Sequence, residues 1–140
     1  NAFCAEDIQH LLSDKRRLNG YVSSAYHAIP KMIKDVYFDA EHPENQTVRY
    51  PNMRAPHMQV ATREGDWQFR DKAEVIREMV ESNLEHLCEH AESRECDVHP
   101  FALKKFKECQ EMLDAFLQET GDNARAAAVW RRVKKDVEMV

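Results

Sequence analysis

Apolar residues recur at helical spacing along much of the chain, and this pattern predicts where the helices lie. A first apolar stripe follows residues 3–18 and stops at Asn19-Gly20. A second stripe covers Pro30–Tyr37, where the proline suits the first turn of a helix. Three further helices are predicted in the second half of the chain, the first capped by Asp71, the second opened by His99-Pro100 and the third capped by Asp122.

The pattern changes between residues 46 and 70, where apolar and polar residues alternate as in β-strands. Thr47–Tyr50 is a short β-prone run, and His57–Thr62 and Trp67–Phe69 follow it with the same alternation. Gly65 lies between the last two runs and supplies the positive φ that a tight hairpin turn requires. The region therefore predicts a small antiparallel sheet of two or three strands.

These elements predict an α+β fold in a single domain that spans residues 1–140. N-terminal helices occupy residues 1–38, the small antiparallel sheet residues 46–70, and a C-terminal bundle of three helices residues 71–140. Apolar residues from Phe106 to Phe116 recur at steps of four and three for barely two heptads. So short a seam favours packing of two antiparallel helices within one molecule over a coiled coil.

Composition and charge exclude several classes of protein. The hydrophobic content of 43%, with only 3 Gly and 5 Pro, argues against a disordered or fibrous chain. No run approaches the roughly 18 apolar residues that a membrane span needs, so no membrane partner is expected. The four cysteines are widely spread, which indicates reduced thiols rather than a disulfide framework. The net charge of −5 argues against a dedicated nucleic-acid coat.

The charge is unevenly distributed, and its basic part is the candidate nucleic-acid surface. Residues 74–97 are rich in acids, whereas residues 125–140 are rich in bases. Bases on one helix face neutralise phosphates and give salt-sensitive affinity. The alternative is that Trp130 and Val133 face the core and the bases are merely solvated. The predicted contact residues are all arginines or lysines: Arg49, Arg54, Arg125, Arg131, Arg132, Lys134 and Lys135.

A second candidate site is a structural zinc ion near residues 86–99, and no other cofactor is predicted. Cysteine and histidine are the usual zinc ligands, and four of them lie close together in the sequence: Cys88, His90, Cys96 and His99. Their spacing does not match a common zinc motif. The alternative is therefore a half-buried cysteine with histidines at the surface.

A third candidate is the stretch HPENQTVRYPN, residues 42–52. A metal-dependent nuclease needs a histidine base and a polarising asparagine, for which His42, Asn45 and His57 are the candidates. The two prolines and the β-prone run between them instead favour a turn followed by a strand. The sequence thus predicts a structural element here, with no catalytic residue.

The same stretch resembles a domain common in proteins of nucleocytoplasmic large DNA viruses, the giant viruses of amoebae and algae. The likeness spans roughly residues 25–140. Members of that family often follow a zinc finger or a coiled coil, and the family has no established activity. The resemblance depends most on a spaced set of motif residues: Tyr37-Phe38-Asp39, His42-Pro43-Glu44-Asn45, Pro51-Asn52 and Trp67.

The resemblance implies a viral accessory domain inside the host cell, in the cytoplasm, viral factory or nucleus, or packaged in the virion. The leading hypothesis is a non-enzymatic binding or assembly module with a protein partner and, as a further partner, DNA. One alternative is a virion-associated structural protein that forms a homo-oligomer through the Phe106–Phe116 seam. The second alternative is the metal-dependent nuclease.

Overall fold

The computed structural model describes residues 1–118 and 123–140, which adopt an α+β fold as the sequence predicts. Within these residues, six α-helices accompany one three-stranded antiparallel sheet of order β1-β2-β3. In chain order the elements are α1 (Gln9–Leu12), α2 (Lys15–Ser23), α3 (Ala28–Tyr37), β1 (Val48–Arg49), β2 (His57–Ala61), β3 (Trp67–Asp71), α4 (Lys72–Glu92), α5 (Pro100–Leu117) and α6 (Ala124–Glu138).

The first predicted helix is wrong in its bounds, because residues 3–18 contain a break. The Asp14 carboxylate accepts a hydrogen bond from the Arg17 amide and so starts α2 as a new helix. The predicted stop at Asn19-Gly20 is also wrong, since α2 continues to Ser23. The Asn19 amide oxygen is instead engaged by a tertiary contact, accepting a hydrogen bond from the Asp97 amide.

The predicted hairpin is confirmed. β2 pairs with β3 in antiparallel register, and Gly65 in the turn has φ +88°. β1 adds a third strand of two residues, with Val48 opposite Val60. Met58 and Val60 point from β2 into the core, and the opposite face of the sheet lies toward solvent.

The helices share one core with the buried face of the sheet. The Asp71 carboxylate caps α4 by accepting from the Glu74 amide, and the predicted stripe of α4 is buried. Phe116 of α5 stacks on Trp130 of α6 with ring centroids 5.1 Å apart. The predicted bundle of α4, α5 and α6 is extended by α2 and α3, which pack against it.

Three further features complete the fold. The proposed cap at Asp122 lies outside the described residues, and Asn123 caps α6 by accepting a hydrogen bond from the Ala126 amide at 3.1 Å. All four cysteines are free thiols. Among the described residues, no helix has both the length and the apolar composition to cross a bilayer.

Candidate functional site

The outward face of α6 carries four exposed bases. Buried residues of α6 lie on the opposite side of the helix and include Trp130, Val133 and Val137. At about 100° per residue, the four bases fall within an arc of about 120° centred opposite those buried positions. No acidic residue of α6 falls in that arc. We call this set the α6 basic face: Arg125, Arg131, Arg132 and Lys135.

Local contacts divide the α6 bases into two groups. The Arg132 guanidinium lies 5.8 Å from the centroid of the Tyr26 ring, and the Lys134 ammonium lies 3.9 Å from a carboxylate oxygen of Glu138. Arg131 and Lys135, by contrast, have no ion pair with any described residue. The predicted residue Lys134 is therefore partly neutralised, whereas Arg131 and Lys135 present their charge to solvent.

The strand arginines lie on a different surface from the α6 basic face. The Arg49 guanidinium lies 4.0 Å from the centroid of the Trp67 ring, and its Nε donates to the Gln59 side chain at 2.6 Å. Arg54 is exposed in the loop between β1 and β2. The outer face of the sheet also exposes the Phe69 ring. The seven predicted contact residues thus belong to two surfaces, of which only the helical one is dense in charge.

Among the described residues, no three of the predicted zinc ligands have ligand atoms within 4.8 Å of one another. His90 Nε2 lies 2.7 Å from the amide oxygen of Asn19, and His99 Nδ1 accepts from the Phe101 amide as the cap of α5. Cys88 lies in a groove between α4 and α5, where burial raises the pKa of its thiol to about 12. Cys96 is half-buried in the loop that follows α4. A zinc ion at Cys88, His90, Cys96 and His99 therefore stays a prediction, and these contacts do not support it.

Of the predicted nuclease residues, Asn45 is fully buried, and its backbone amide donates to the His42 carbonyl at 3.0 Å. The Asn45 side chain donates to the Asp7 carbonyl at 2.6 Å and accepts from the Asp7 amide at 2.9 Å. Beside it, the Thr47 hydroxyl donates to the Glu6 carboxylate at 2.6 Å. These contacts, which we call the Asn45 clamp, hold the N-terminal segment against the 3-10 turn Pro43–Asn45. The asparagine therefore has a structural role, as the turn interpretation predicted.

His42 nevertheless has neighbours that the sequence reasoning missed. Its ring stacks on the His10 ring with centroids 3.6 Å apart and an angle of 14° between the rings. One ligand-capable atom each from His10, Asp39 and His42 lies within 4.8 Å of the other two. Asp39 and His42 lie in one loop, so their proximity could have been predicted from the sequence. The approach of His10 from α1 is set by tertiary packing, which no motif reveals.

The molecule also has an acidic strip on the exposed side of α4. Its members recur about once per helical turn and are exposed: Glu81, Glu85, Glu89 and Glu92. Glu81 pairs with Arg77, whereas the negative charge of the others faces solvent. A polyanion would be repelled there, so the charge asymmetry of the sequence is preserved as two distinct surfaces of the fold.

Comparison of the chain with models of known protein families, with characterised proteins and with solved structures finds no match. The likeness of residues 25–140 to the viral domain therefore stays a prediction from motif residues. Any proposal about function therefore also depends on the fold and on the charges of its surfaces.

Proposed function

We propose that this chain is a non-enzymatic binding or assembly module of a large DNA virus, and that the α6 basic face contacts DNA. The viral assignment depends on the resemblance carried by the motif residues around Pro43-Glu44-Asn45. The DNA assignment depends on a single observation, the four exposed bases that share one face of α6 with no acid among them. The outer face of the sheet, with Arg49 on Trp67, would supply a separate, secondary contact.

The mode of binding follows from the chemistry of the α6 basic face. A helix that presents only arginine, lysine and small apolar residues makes phosphate contacts, which carry no sequence information directly. We therefore expect weak, non-specific affinity that falls steeply with salt. Four neutralised phosphates would give a slope of about −3.6 in a plot of log affinity against log salt concentration.

The test is a titration of a labelled DNA duplex, followed by fluorescence anisotropy at several salt concentrations. The charge-reversal variant replaces all four residues of the α6 basic face with glutamate. We expect this variant to lose measurable affinity, because phosphate contact is the main source of binding.

A matched control reverses four exposed bases elsewhere, namely Arg16, Arg17, Lys104 and Lys107. It changes the net charge by the same amount but leaves α6 intact, so we expect it to keep most of the affinity. Equal losses in the two variants would mean that overall charge, not the α6 basic face, governs binding. Absence of DNA binding by the wild-type chain would favour a purely protein-facing role.

The alternative of a homo-oligomer through the Phe106–Phe116 seam is not favoured by the packing. Phe106, Cys109 and Leu113 are buried within one chain, so only the partly buried Phe116 leaves apolar surface of the seam to offer to a second copy. We expect a monomer in solution, which light scattering during size-exclusion chromatography measures directly. A dimer of defined mass would instead support the alternative of a structural protein that forms a homo-oligomer.

A further inference from the structure

Three side chains from separate segments converge on one small volume at the edge of the fold. His10 comes from α1, Asp39 follows the end of α3, and His42 precedes the 3-10 turn Pro43–Asn45. Their ligand-capable atoms lie within 4.8 Å of one another, and all three residues are partly buried. Two imidazoles and one carboxylate form a set that protein sites use for Zn²⁺ and related divalent ions.

The backbone around Asp39 fixes the geometry of this set. Asp39 Oδ1 accepts a hydrogen bond from the Glu41 amide at 2.9 Å, and the Asp39 carbonyl accepts from the His42 amide at 3.1 Å. These two bonds hold the carboxylate and the His42 ring on the same side of a tight turn. The second carboxylate oxygen of Asp39 is not used by this turn, so it can face a ligand.

The polar contacts of the two imidazoles leave one nitrogen of each ring for a ligand. His42 Nδ1 lies 3.0 Å from a carboxylate oxygen of Glu44, so the ring contacts Glu44 through Nδ1, and Nε2 is the nitrogen left for a metal ion. His10 Nε2 is buried and has no hydrogen-bond partner. A buried ring nitrogen without a partner is costly, and a metal ion would satisfy it.

Coordination of an ion would require a local rearrangement of the three side chains. Ligand atoms about 2.0–2.1 Å from a tetrahedral zinc ion are about 3.3 Å from each other, so the three atoms would have to approach one another by about 1.5 Å at most. The His10 and His42 rings, now stacked at 14° to each other, would also have to turn until a lone pair of each points at the ion. Three protein ligands leave a fourth position for water.

We propose that His10, Asp39 and His42 form a binding site for a divalent transition-metal ion of the zinc type. Glu44 orients the His42 ring from outside the ligand set, as a positioning residue. The ion would join α1 to the loop that follows α3, beside the Asn45 clamp. Its effect would be structural, since binding to the native state alone raises the stability of the fold.

The first test is zinc titration of the wild-type chain, followed by calorimetry and by histidine imidazole resonances in NMR spectra. We expect one equivalent to bind, with movement of the His10 and His42 resonances and none for His27, His57 and His86. Cobalt serves as a spectroscopic substitute that distinguishes ligand types. Its spectrum should lack the sulfur-to-cobalt charge-transfer bands that a site containing Cys88 or Cys96 would show.

Variants then assign the ligands. Asp39→Asn keeps the acceptor for the Glu41 amide but removes the anionic ligand, so the turn is preserved while zinc affinity falls more than about tenfold. His42→Ala should abolish binding, and Glu44→Gln should weaken it about tenfold. His57→Ala, at an exposed histidine of β2, is the matched control and should bind as the wild type does.

Three results would overturn the proposal. They are absence of zinc binding by the wild-type chain, a cobalt spectrum with sulfur ligation, and unchanged affinity in both Asp39→Asn and His42→Ala. The NMR titration needs no variant, so it decides the question even where a substitution unfolds the chain. Circular dichroism of each variant without metal shows whether its fold is intact.

Discussion

The α6 basic face and the Asn45 clamp both consist of polar side chains, yet they differ in burial and in origin. The bases of α6 come from one helix, are exposed and are not required by the packing of the core. The clamp joins Asn45 to Asp7 and Thr47 to Glu6, across long stretches of sequence, and Asn45 is fully buried. Buried polar groups hold the chain together because leaving them unpaired is costly, whereas exposed charges remain available to a partner.

The largest expected effect lies in the clamp. Asn45→Ala removes three part-buried hydrogen bonds, one from the Asn1 side chain and two that engage the amide and carbonyl of Asp7. Since a group that loses its partner in such a site costs about 1–3 kcal/mol, we expect the free energy of unfolding to fall by about 3 kcal/mol. Urea denaturation measures this change.

The control for this prediction is Gln46→Ala, which removes one exposed hydrogen bond to the Asp39 carbonyl. We expect it to cost less than about 1 kcal/mol. A similar small loss in Asn45→Ala would mean that water replaces the asparagine and that the clamp contributes little to stability. In either case the DNA affinity of the folded variant should be unchanged, because α6 is untouched.

The two regions also differ in how far the sequence could predict them. Helical periodicity placed Trp130, Val133 and Val137 on one side of α6, so it also placed the bases on the other. The hairpin was predictable because Gly65 and the alternation around it are local signals. The Pro43 turn was likewise identified from its own residues.

The features that the sequence did not predict depend on contacts between distant segments. The break at Asp14 was hidden because a continuous apolar stripe outweighed a single capping residue. Asn19 resembled a helix stop, but its side chain is engaged by residues near the end of α4. The stacking of His10 on His42 likewise requires the packing of α1 against the loop after α3. The hydrophobic pattern of one segment does not predict such a contact with another segment.

The second prediction concerns the start of α6, where the basic face depends on a single polar contact. Asn123 Oδ1 accepts from the Ala126 amide, so Asn123→Ala should lower the free energy of unfolding by about 1 kcal/mol. Asn123→Ser retains a capping oxygen and should recover most of the loss. Thermal denaturation of the two variants provides the comparison, and equal midpoints for both would show that the cap is not used.

The third prediction uses the pH dependence of the clamp. Burial raises the pKa of Glu6 above its ordinary value of 4.5, although the Thr47 hydroxyl partly opposes this shift. Stability from this group is therefore fully present below the unfolded pKa and is lost as pH rises through the folded pKa. Glu6→Gln keeps an acceptor for the Thr47 hydroxyl without the charge.

We therefore expect Glu6→Gln to gain stability relative to the wild type as the pH is raised from about 4 to neutrality. Urea denaturation at a series of pH values measures the difference between the two proteins. The charge of Glu6 contributes to the raised pKa of both Cys4 and Tyr37, but these two groups stay protonated between about pH 4 and neutrality in either protein and add nothing to that difference. A difference that shrinks with rising pH would contradict the prediction.

The smallest effect on stability is expected for a substitution on the α6 basic face itself. This substitution tests most directly whether the exposed bases, unlike the Asn45 clamp, serve binding and not folding. Arg131→Ala removes an exposed charge that has no ion pair with a described residue, so the free energy of unfolding should stay within about 0.5 kcal/mol of the wild type. The salt slope of DNA binding should nevertheless decrease by about 1, since one phosphate contact is lost. Lys104→Ala on α5 should change neither quantity. A stable variant with an altered slope would separate binding from folding at a single residue, whereas an unchanged slope would remove Arg131 from the DNA contact.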